Sequence, residues 1–312
     1  SILTVERIAV LALIVILLSG GLDIGAGRLR ESWREVTVLG IAGTFLTAAA
    51  LTVAVHLITG LPWKVAGLVG AALAPTDPAV VFSVLGRREI KSRAGTVLEG
   101  EAGFNDPAGI ALLLGLLEVA TSDHSSLWAV ARTFVVEMGI GGAIGVAGGL
   151  LMVQILGRVR LPSGGEHAVL TIVCAVALYG ATTLAGGSGF LAVFVAGLIL
   201  SDVAVPHHGD IDRFIGGLAS LAELTVFLVL GLTIDLTLIA ARDWLAGLVI
   251  AAVMMVIVRP VVAGVLLSGS SLDRGERRFV ALAGLKGAVP ILLGAFAVLG
   301  AAPSAERIYQ LV

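Results

Sequence analysis

Charge is scarce in this sequence. Asp, Glu, Lys and Arg make up 13% of its 312 residues, about half of the share found in ordinary soluble domains. The net charge of −2 at pH 7 argues against a nucleic-acid partner. Cys174 is the only cysteine and lies in an apolar run, which excludes an intrachain disulfide and a thiolate metal site. The composition therefore excludes a soluble, disulfide-stabilised or nucleic-acid-binding domain.

Apolar residues are abundant instead. The chain is 58% hydrophobic and contains 41 glycines, and small residues let membrane helices approach one another closely. An apolar run of about 17–25 residues is long enough to cross the hydrocarbon core of a bilayer. The sequence therefore predicts an all-α polytopic membrane protein. Its ten predicted spans are residues 4–22, 36–59, 65–85, 94–118, 128–156, 167–185, 189–203, 215–234, 244–268 and 278–300.

The basic residues indicate how these spans are oriented, because cytoplasmic loops carry an excess of Lys and Arg. One set of alternate loops carries Arg28, Arg30, Arg34, Arg87, Arg88, Lys91, Arg93, Arg158, Arg160, Arg213, Arg274, Arg277 and Arg278. The opposite loops and the ends carry only Arg7, Lys64, Arg242 and Arg307. We therefore expect a multi-pass protein of the cell membrane, with the basic loops in the cytoplasm and both ends of this chain outside.

The stretch from Leu98 to Pro107 places three carboxylates and an Asn between long apolar runs. An ionisable side chain inside a membrane span costs several kcal/mol and is by default a functional hypothesis. Successive residues of a helix are rotated by about 100°, so Glu101 and Asp106 point roughly 140° apart. We expect these two carboxylates to have different partners and different roles.

Two predicted spans are interrupted. The third is interrupted at Pro-Thr-Asp-Pro, residues 75–78, and the tenth at about residues 286–290, where Lys286 and Pro290 lie within Gly-Leu-Lys-Gly-Ala-Val-Pro. Irregular backbone at membrane depth is tolerated only where it is buried in protein or lines a cavity. Interruptions in two halves of a transporter indicate the substrate site, and these two spans cross the membrane in opposite senses, as inverted repeats require. The Thr76 hydroxyl, the carboxylates and the freed carbonyls are hard oxygen ligands, which favours an alkali cation over a transition metal.

These residues resemble the cation:proton antiporter superfamily, in the branch of the NhaP-type bacterial antiporters and the animal sodium/proton exchangers. The sequences of the loops are most similar to those of the bacterial potassium/proton antiporters of that branch. The matching segments occur in the family's order and cover nearly the whole chain: Pro75–Leu85, Glu101–Asp106, Gly187–Leu198, Phe227–Leu232, Val258–Pro260 and Gly284–Pro290.

The resemblance implies a role for each site residue. Asp106 binds a proton or a cation in turn, and its neighbour Asn105 is associated with electroneutral one-for-one exchange. Thr76 and Asp77 lie at the crossover of the interrupted helices. Glu101 forms an ion pair with Arg259 that braces the site. Lys286 supplies a positive charge that faces the carbonyls at the C-terminal ends of helices.

The resemblance also implies an organisation. Members of the family have thirteen spans, so the ten predicted here correspond to the third to the twelfth, and we expect the protein to continue at both ends. Residues 36–118 and 244–312 form a core that moves against a dimerising scaffold, residues 1–35 and 128–234, within one transporter domain. We therefore expect a homodimer in the lipid bilayer, without enzymatic activity and without a cofactor.

The substrates implied are H⁺ and either K⁺ or Na⁺. Ala102 replaces a Ser of many relatives whose hydroxyl is counted as a ligand, which leaves the selectivity between Na⁺ and K⁺ open. Lys286 replaces an Arg and can supply the charge without the bidentate geometry. A cation-coupled symporter of similar architecture is the alternative, and the Asn-Asp-Pro run together with Thr76 and Asp77 favours the antiporter.

Overall fold

The computed structural model describes residues 2–77, 92–121, 127–232, 239–287, 289–300 and 302–312, and in this part of the chain we find helices but no strand. The helices are α1 (Ile2–Ile24), α2 (Ala26–Glu31), α3 (Trp33–Thr59), α4 (Trp63–Ala72), α5 (Arg93–Thr121), α6 (Leu127–Arg158), α7 (Gly164–Leu184), α8 (Gly189–Ser201), α9 (His208–Gly231), α10 (Ala241–Leu266), α11 (Arg274–Leu282), α12 (Val289–Leu299) and α13 (Ala305–Leu311).

Six helices of the described residues are long and apolar enough to cross a membrane. They lie in α1, α3, α5, α6, α7 and α10 and correspond to the first, second, fourth, fifth, sixth and ninth predicted spans. The seventh predicted span is the 13-residue helix α8. The eighth corresponds to α9, which begins earlier than predicted with a charged first turn. Residues 78–85 of the third predicted span and residues 233–234 of the eighth lie outside the described residues.

The tenth predicted span is divided into α11 and α12, and the position of its break needs a correction. We predicted the interruption at 286–290, whereas the irregular backbone occupies 283–287 and α12 begins at Val289. Pro290 therefore starts a helix instead of ending one, because the first turn of a helix needs no amide donor from proline. Upstream, Asp273 and Glu276 form a capping box that fixes the start of α11.

Glycines fix both a helix end and a close helix contact. Gly60 adopts a left-handed conformation (φ 69°) and its amide donates to the carbonyl of His56, which ends α3. Pro62 follows and begins α4. Within this hairpin, a Cβ on Gly70 would lie 2.6 Å from the carbonyl oxygen of Ala48, so only glycine allows α4 to approach α3 this closely.

The chain divides into two compact units. The first consists of residues 1–6, 32–134 and 230–312, and the second of residues 7–31 and 135–229. The residues predicted as the core, 36–118 and 244–312, fall within the first unit, as do residues 1–6, 32–35, 128–134 and 230–234 of the predicted scaffold. That one part moves against the other stays a prediction.

Two helices of the first unit contain a π-helical turn. Val38–Gly43 lies in α3 and Met254–Val258 lies in α10, directly before Arg259. The amide of Arg259 donates to the carbonyl of Met254, five residues earlier, which leaves one more residue in this turn than an α-helix has. Arg259 and the residue before it are buried, whereas the three preceding residues, Met255, Val256 and Ile257, are exposed.

Candidate functional site

The two interrupted segments meet in the first unit. After α4 the backbone is irregular at 74–77, and after α11 it is irregular at 283–287. The amide of Asp77 donates to the carbonyl oxygen of Leu285 at 2.9 Å. An amide of the first break therefore pairs with a carbonyl of the second. Such pairing satisfies the polar groups of irregular backbone away from water.

Lys286, in the second break, also forms hydrogen bonds to the first break. Its Nζ donates to the carbonyl oxygens of Ala74 (2.9 Å) and Pro75 (2.8 Å). These carbonyls follow the C-terminal end of α4, where the helix dipole favours a positive charge. Only glycine fits at position 287 in this contact, because a Cβ there would lie 2.6 Å from Cγ of Asp77.

Glu101 of α5 and Arg259 of α10 form a buried ion pair. They are 2% and 6% exposed. Arg259 Nη1 contacts Glu101 Oε1, and Nη2 donates to Oε2 at 2.8 Å. Arg259 Nη2 also donates to the carbonyl oxygen of Val280 in α11 at 3.0 Å. The pair therefore joins three helices, and no motif in the sequence predicts the contact with Val280.

A chain of hydrogen bonds runs from this pair to Asn105. The Thr76 hydroxyl donates to Glu101 Oε1 at 3.3 Å and accepts from Asn105 Nδ2 at 2.7 Å. This orientation leaves Asn105 Oδ1 buried, and no described residue donates a hydrogen bond to it. The sequence predicted Thr76 as a cation ligand, but it did not reveal that this hydroxyl orients the amide of Asn105.

Asp106 is placed apart from the ion pair. It is 7% exposed, and its buried Oδ1 has no hydrogen-bond partner in the part of the chain that the structure describes. The charged groups that act on it electrostatically are Asp77 and Lys286. The structure thus brings all seven predicted site residues into one region but divides them into two sets. Glu101, Arg259, Thr76 and Asn105 are linked by hydrogen bonds, whereas Asp106 interacts with Asp77 and Lys286 through charge.

The charges of the second set suit a single monovalent ligand. Two carboxylates and one ammonium leave one negative charge, which one proton or one alkali cation neutralises. The oxygens available are hard ligands, as such a cation prefers. Among the described residues no cluster of His, Cys, Asp and Glu could hold a metal ion.

An ion pair that was not predicted joins a buried aspartate of α10 to a partly exposed arginine of α13. Arg307 of α13 donates through Nε and Nη2 to Oδ1 of Asp243 at 3.0 and 2.9 Å. Asp243 is 5% exposed and begins the helix that carries Arg259. No sequence signal pairs these two residues, because neither lies in a motif and 64 positions separate them.

Comparison with known proteins agrees with this architecture. The family profile described as "Sodium/hydrogen exchanger, transmembrane" matches residues 1–312. The K(+)/H(+) antiporter NhaP of Alkalimonas amylolytica is 33% identical over 301 residues, which cover 96% of this chain and 52% of that protein. The K(+)/H(+) antiporter NhaP2 of Shewanella sp. (strain MR-4) is 31% identical over 315 residues, covering 99% of this chain and 54% of that protein. This chain spans about half the length of these relatives.

An archaeal relative extends the likeness to a solved structure. The Na(+)/H(+) antiporter 1 of Methanocaldococcus jannaschii is 30% identical over 302 residues, covering 91% of this chain and 68% of that protein. The structure of the sodium proton antiporter MjNhaP1 from the same organism at pH 8 superposes with a TM-score of 0.82 at 25% identity. It covers 99% of this chain and 82% of the compared chain. The fold is therefore the antiporter fold with two interrupted helices.

Proposed function

Because the chain belongs to the sodium/hydrogen exchanger family, we propose that it is the membrane part of an antiporter that exchanges a monovalent cation for a proton. The observation that carries this proposal is the buried Asp106 carboxylate, whose Oδ1 has no hydrogen-bond partner among the described residues. A buried carboxylate oxygen without a hydrogen bond is costly. It therefore favours an exchangeable ligand, and a proton and an alkali cation are the two that neutralise one negative charge.

The mechanism follows from competition for this carboxylate. When the proton leaves Asp106, the site attracts a cation, and Asn105 Oδ1 and Asp77 supply further oxygens. When a proton returns, it neutralises Asp106 and the cation is released. Either loaded state carries the same net charge, whereas the empty state keeps an uncompensated charge and pays the full cost of burial. Only the loaded states cross the barrier, which gives one-for-one exchange that is insensitive to the membrane potential.

The ion pair and Lys286 have supporting roles in this proposal. Glu101 and Arg259 neutralise each other and hold Thr76, which orients Asn105. Lys286 stays at the carbonyls of the first break and offsets part of the negative charge of Asp77 and Asp106. The transported cation is K⁺ or Na⁺, since the relatives named above include both K(+)/H(+) and Na(+)/H(+) antiporters.

The larger arrangement is part of the same proposal. Residues 36–118 and 244–312 act as the moving core and residues 1–35 and 128–234 as the scaffold, which pairs with a second copy of the chain. The basic loops face the cytoplasm, as the positive-inside rule predicts. Alternating exposure of Asp106 to the two sides of the membrane then couples the two fluxes.

The test is cation-driven proton movement in proteoliposomes that contain a trapped pH dye. Adding K⁺, Na⁺ or Li⁺ outside should move protons out of the lumen with the wild-type protein. Asp106→Asn should abolish this movement while the protein remains folded, because the neutral amide cannot exchange a proton. Asp212→Asn, which changes an exposed aspartate of α9, is the matched control and should leave the rate unchanged.

A second measurement separates the mechanisms. The rate with K⁺, Na⁺ or Li⁺ should be unchanged when a gradient of a permeant anion such as thiocyanate imposes a membrane potential. A rate that follows the potential would contradict electroneutral exchange. Residual exchange in Asp106→Asn would move the carrier role to Asp77 or Glu101. Protons that move in the same direction as the cation would identify a symporter instead.

A further inference from the structure

Two helices of the first unit that are long and apolar enough to cross a membrane, α3 and α10, pack side by side. A Cβ on Gly43 of α3 would lie 3.5 Å from Cδ1 of Leu266 in α10, which locates the contact line between them. In the loop after α10, the Ser271 hydroxyl donates to Oε1 of Glu35, in the first turn of α3, at 2.9 Å. The start of α3 therefore lies beside the end of α10, and the two helices are antiparallel.

Exposed apolar residues follow this contact line on both helices. They are Val38, Ala42 and Leu46 of α3 and Val261 and Val265 of α10. Ala42 directly precedes Gly43, and in the same way Val265 directly precedes Leu266. Each is therefore rotated by about 100° from the contact line, in the same sense along its chain. Because the helices are antiparallel, both rows fall on the same side of the line and flank one exposed apolar groove.

An arginine lies at the end of each side of this groove. Arg34 is exposed and comes one helical turn before Val38. Its Cζ lies 5.6 Å from the centre of the Trp33 ring, which is also exposed, and tryptophan is enriched at the level of lipid headgroups. On the other side, Arg277 Nη1 donates to the carbonyl oxygen of Ser268, just beyond the end of α10, at 3.3 Å.

The carboxylates at this end of the unit do not neutralise these two arginines. Glu35 is 7% exposed and pairs with Arg93, 3.5 Å away. The two carboxylates of the α11 capping box accept hydrogen bonds from backbone amides. Within the described residues, neither Arg34 nor Arg277 forms an ion pair. Positive charge therefore remains where the apolar groove ends.

We propose that this groove binds one anionic phospholipid, with its acyl chains between the two apolar rows and its phosphodiester between Arg34 and Arg277. Guanidinium groups suit phosphate oxygens in charge and geometry, and basic clusters at the ends of membrane helices attract anionic headgroups. The same arginines repel the ammonium group of a zwitterionic lipid, so a lipid with a net charge of −1 is favoured over phosphatidylcholine. This site is separate from Asp106, and its occupant is not a transported ion.

The size of the effect follows from the two charges. A basic residue near an anionic lipid surface contributes about 1 kcal/mol, which corresponds to about a 5-fold change in the dissociation constant. Arg34→Gln and Arg277→Gln should therefore each weaken the binding of phosphatidylglycerol about 5-fold, and the double variant about 25-fold where the two contributions add. Phosphatidylcholine should bind the wild type more weakly than phosphatidylglycerol does, and it should respond less to these substitutions.

The experiment is native mass spectrometry of the delipidated protein in a neutral detergent, titrated with phosphatidylglycerol or with phosphatidylcholine of the same acyl chains. The occupancy of the first bound lipid gives the dissociation constant. Arg158→Gln, which removes an exposed arginine at the end of α6 in the second unit, is the matched control and should bind phosphatidylglycerol as the wild type does. Ala42→Phe fills the groove without a change of charge and should weaken the binding of both lipids.

Several results would overturn this inference. Equal dissociation constants of the wild type for the two lipids would do so, as would unchanged binding of phosphatidylglycerol in the double arginine variant or in Ala42→Phe. A loss in Arg158→Gln as large as that in Arg34→Gln would show that the lipid responds to net charge and not to this groove. Displacement of the lipid by inorganic phosphate would assign the arginines to a free anion. The proposed antiport function is tested separately, since lipid binding is measured without transport.

Discussion

Removal of one partner of the Glu101–Arg259 pair should destabilise the protein strongly. Glu101 is 2% exposed in the wild type, and after loss of Arg259 its remaining hydrogen-bond partner among the described residues is the Thr76 hydroxyl, at 3.3 Å. The carbonyl of Val280 loses its donor as well. Breaking a buried pair in this way typically costs about 3–5 kcal/mol, because one charge is left uncompensated.

The double variant Glu101→Gln with Arg259→Gln tests the cause of this loss. It removes both charges and keeps side chains that can hydrogen-bond to each other, so it should recover about 0.5–3 kcal/mol, the usual coupling between residues in contact. The measurement is the midpoint of heat-induced loss of the monodisperse protein in detergent, at one heating rate, since unfolding of such proteins is often irreversible. The order expected is wild type, then the double variant, then either single variant.

Arg274→Gln provides the control for the loss of an arginine. Arg274 lies exposed in the first turn of α11, and surface substitutions usually change stability by no more than about 0.5 kcal/mol. Its midpoint should match that of the wild type. A double variant no more stable than Arg259→Gln would refute the reasoning, since the cost would then come from lost packing and not from an uncompensated charge.

Two further predictions concern the crossing of the interrupted segments. Lys286→Arg should retain exchange, because a fixed positive charge still faces the carbonyls of Ala74 and Pro75, whereas Lys286→Met should lose exchange. A folded but inactive Lys286→Arg variant would instead indicate that this lysine releases its proton during transport. Gly287→Ala should lower the thermal midpoint and slow exchange, because the new methyl group would lie 2.6 Å from Cγ of Asp77 and such overpacking costs about 1–3 kcal/mol. Gly264→Ala, with nothing within 4 Å of the new Cβ, should behave as the wild type in both assays, and equal behaviour of the two alanine variants would contradict the close contact at Asp77.

Local sequence signals predicted the continuous helices well. The apolar run of α3 ends at a glycine in the left-handed conformation and a proline that begins α4, and both are visible in the sequence. Prolines also indicated that two spans are interrupted. The second break was misplaced by a few residues because Pro290 is compatible with the first turn of a helix, and the sequence alone does not distinguish a proline that ends a helix from one that begins it.

Contacts between distant residues were harder to predict. The bond from Asn105 to Thr76 depends on how α5 packs beside the end of α4, and nothing in either motif specifies it. The π-helical turn at Val38–Gly43 has no proline or charge that marks it, since it depends on tertiary packing. In the second unit, the rings of His167 and His207 lie 4.8 Å apart, and no local pattern in the sequence pairs them.

The bonds between the two breaks have a consequence for synthesis of the protein. Lys286 and its acceptor Ala74 are 212 positions apart in the sequence. A ribosome adding about 5–20 residues per second needs roughly 10–40 s to reach Lys286 after Ala74. Throughout this interval the membrane already holds the first break while its native partners do not yet exist. The early half of the protein therefore reaches its final hydrogen bonding only when the last spans arrive, so completion of the fold is coupled to completion of the chain.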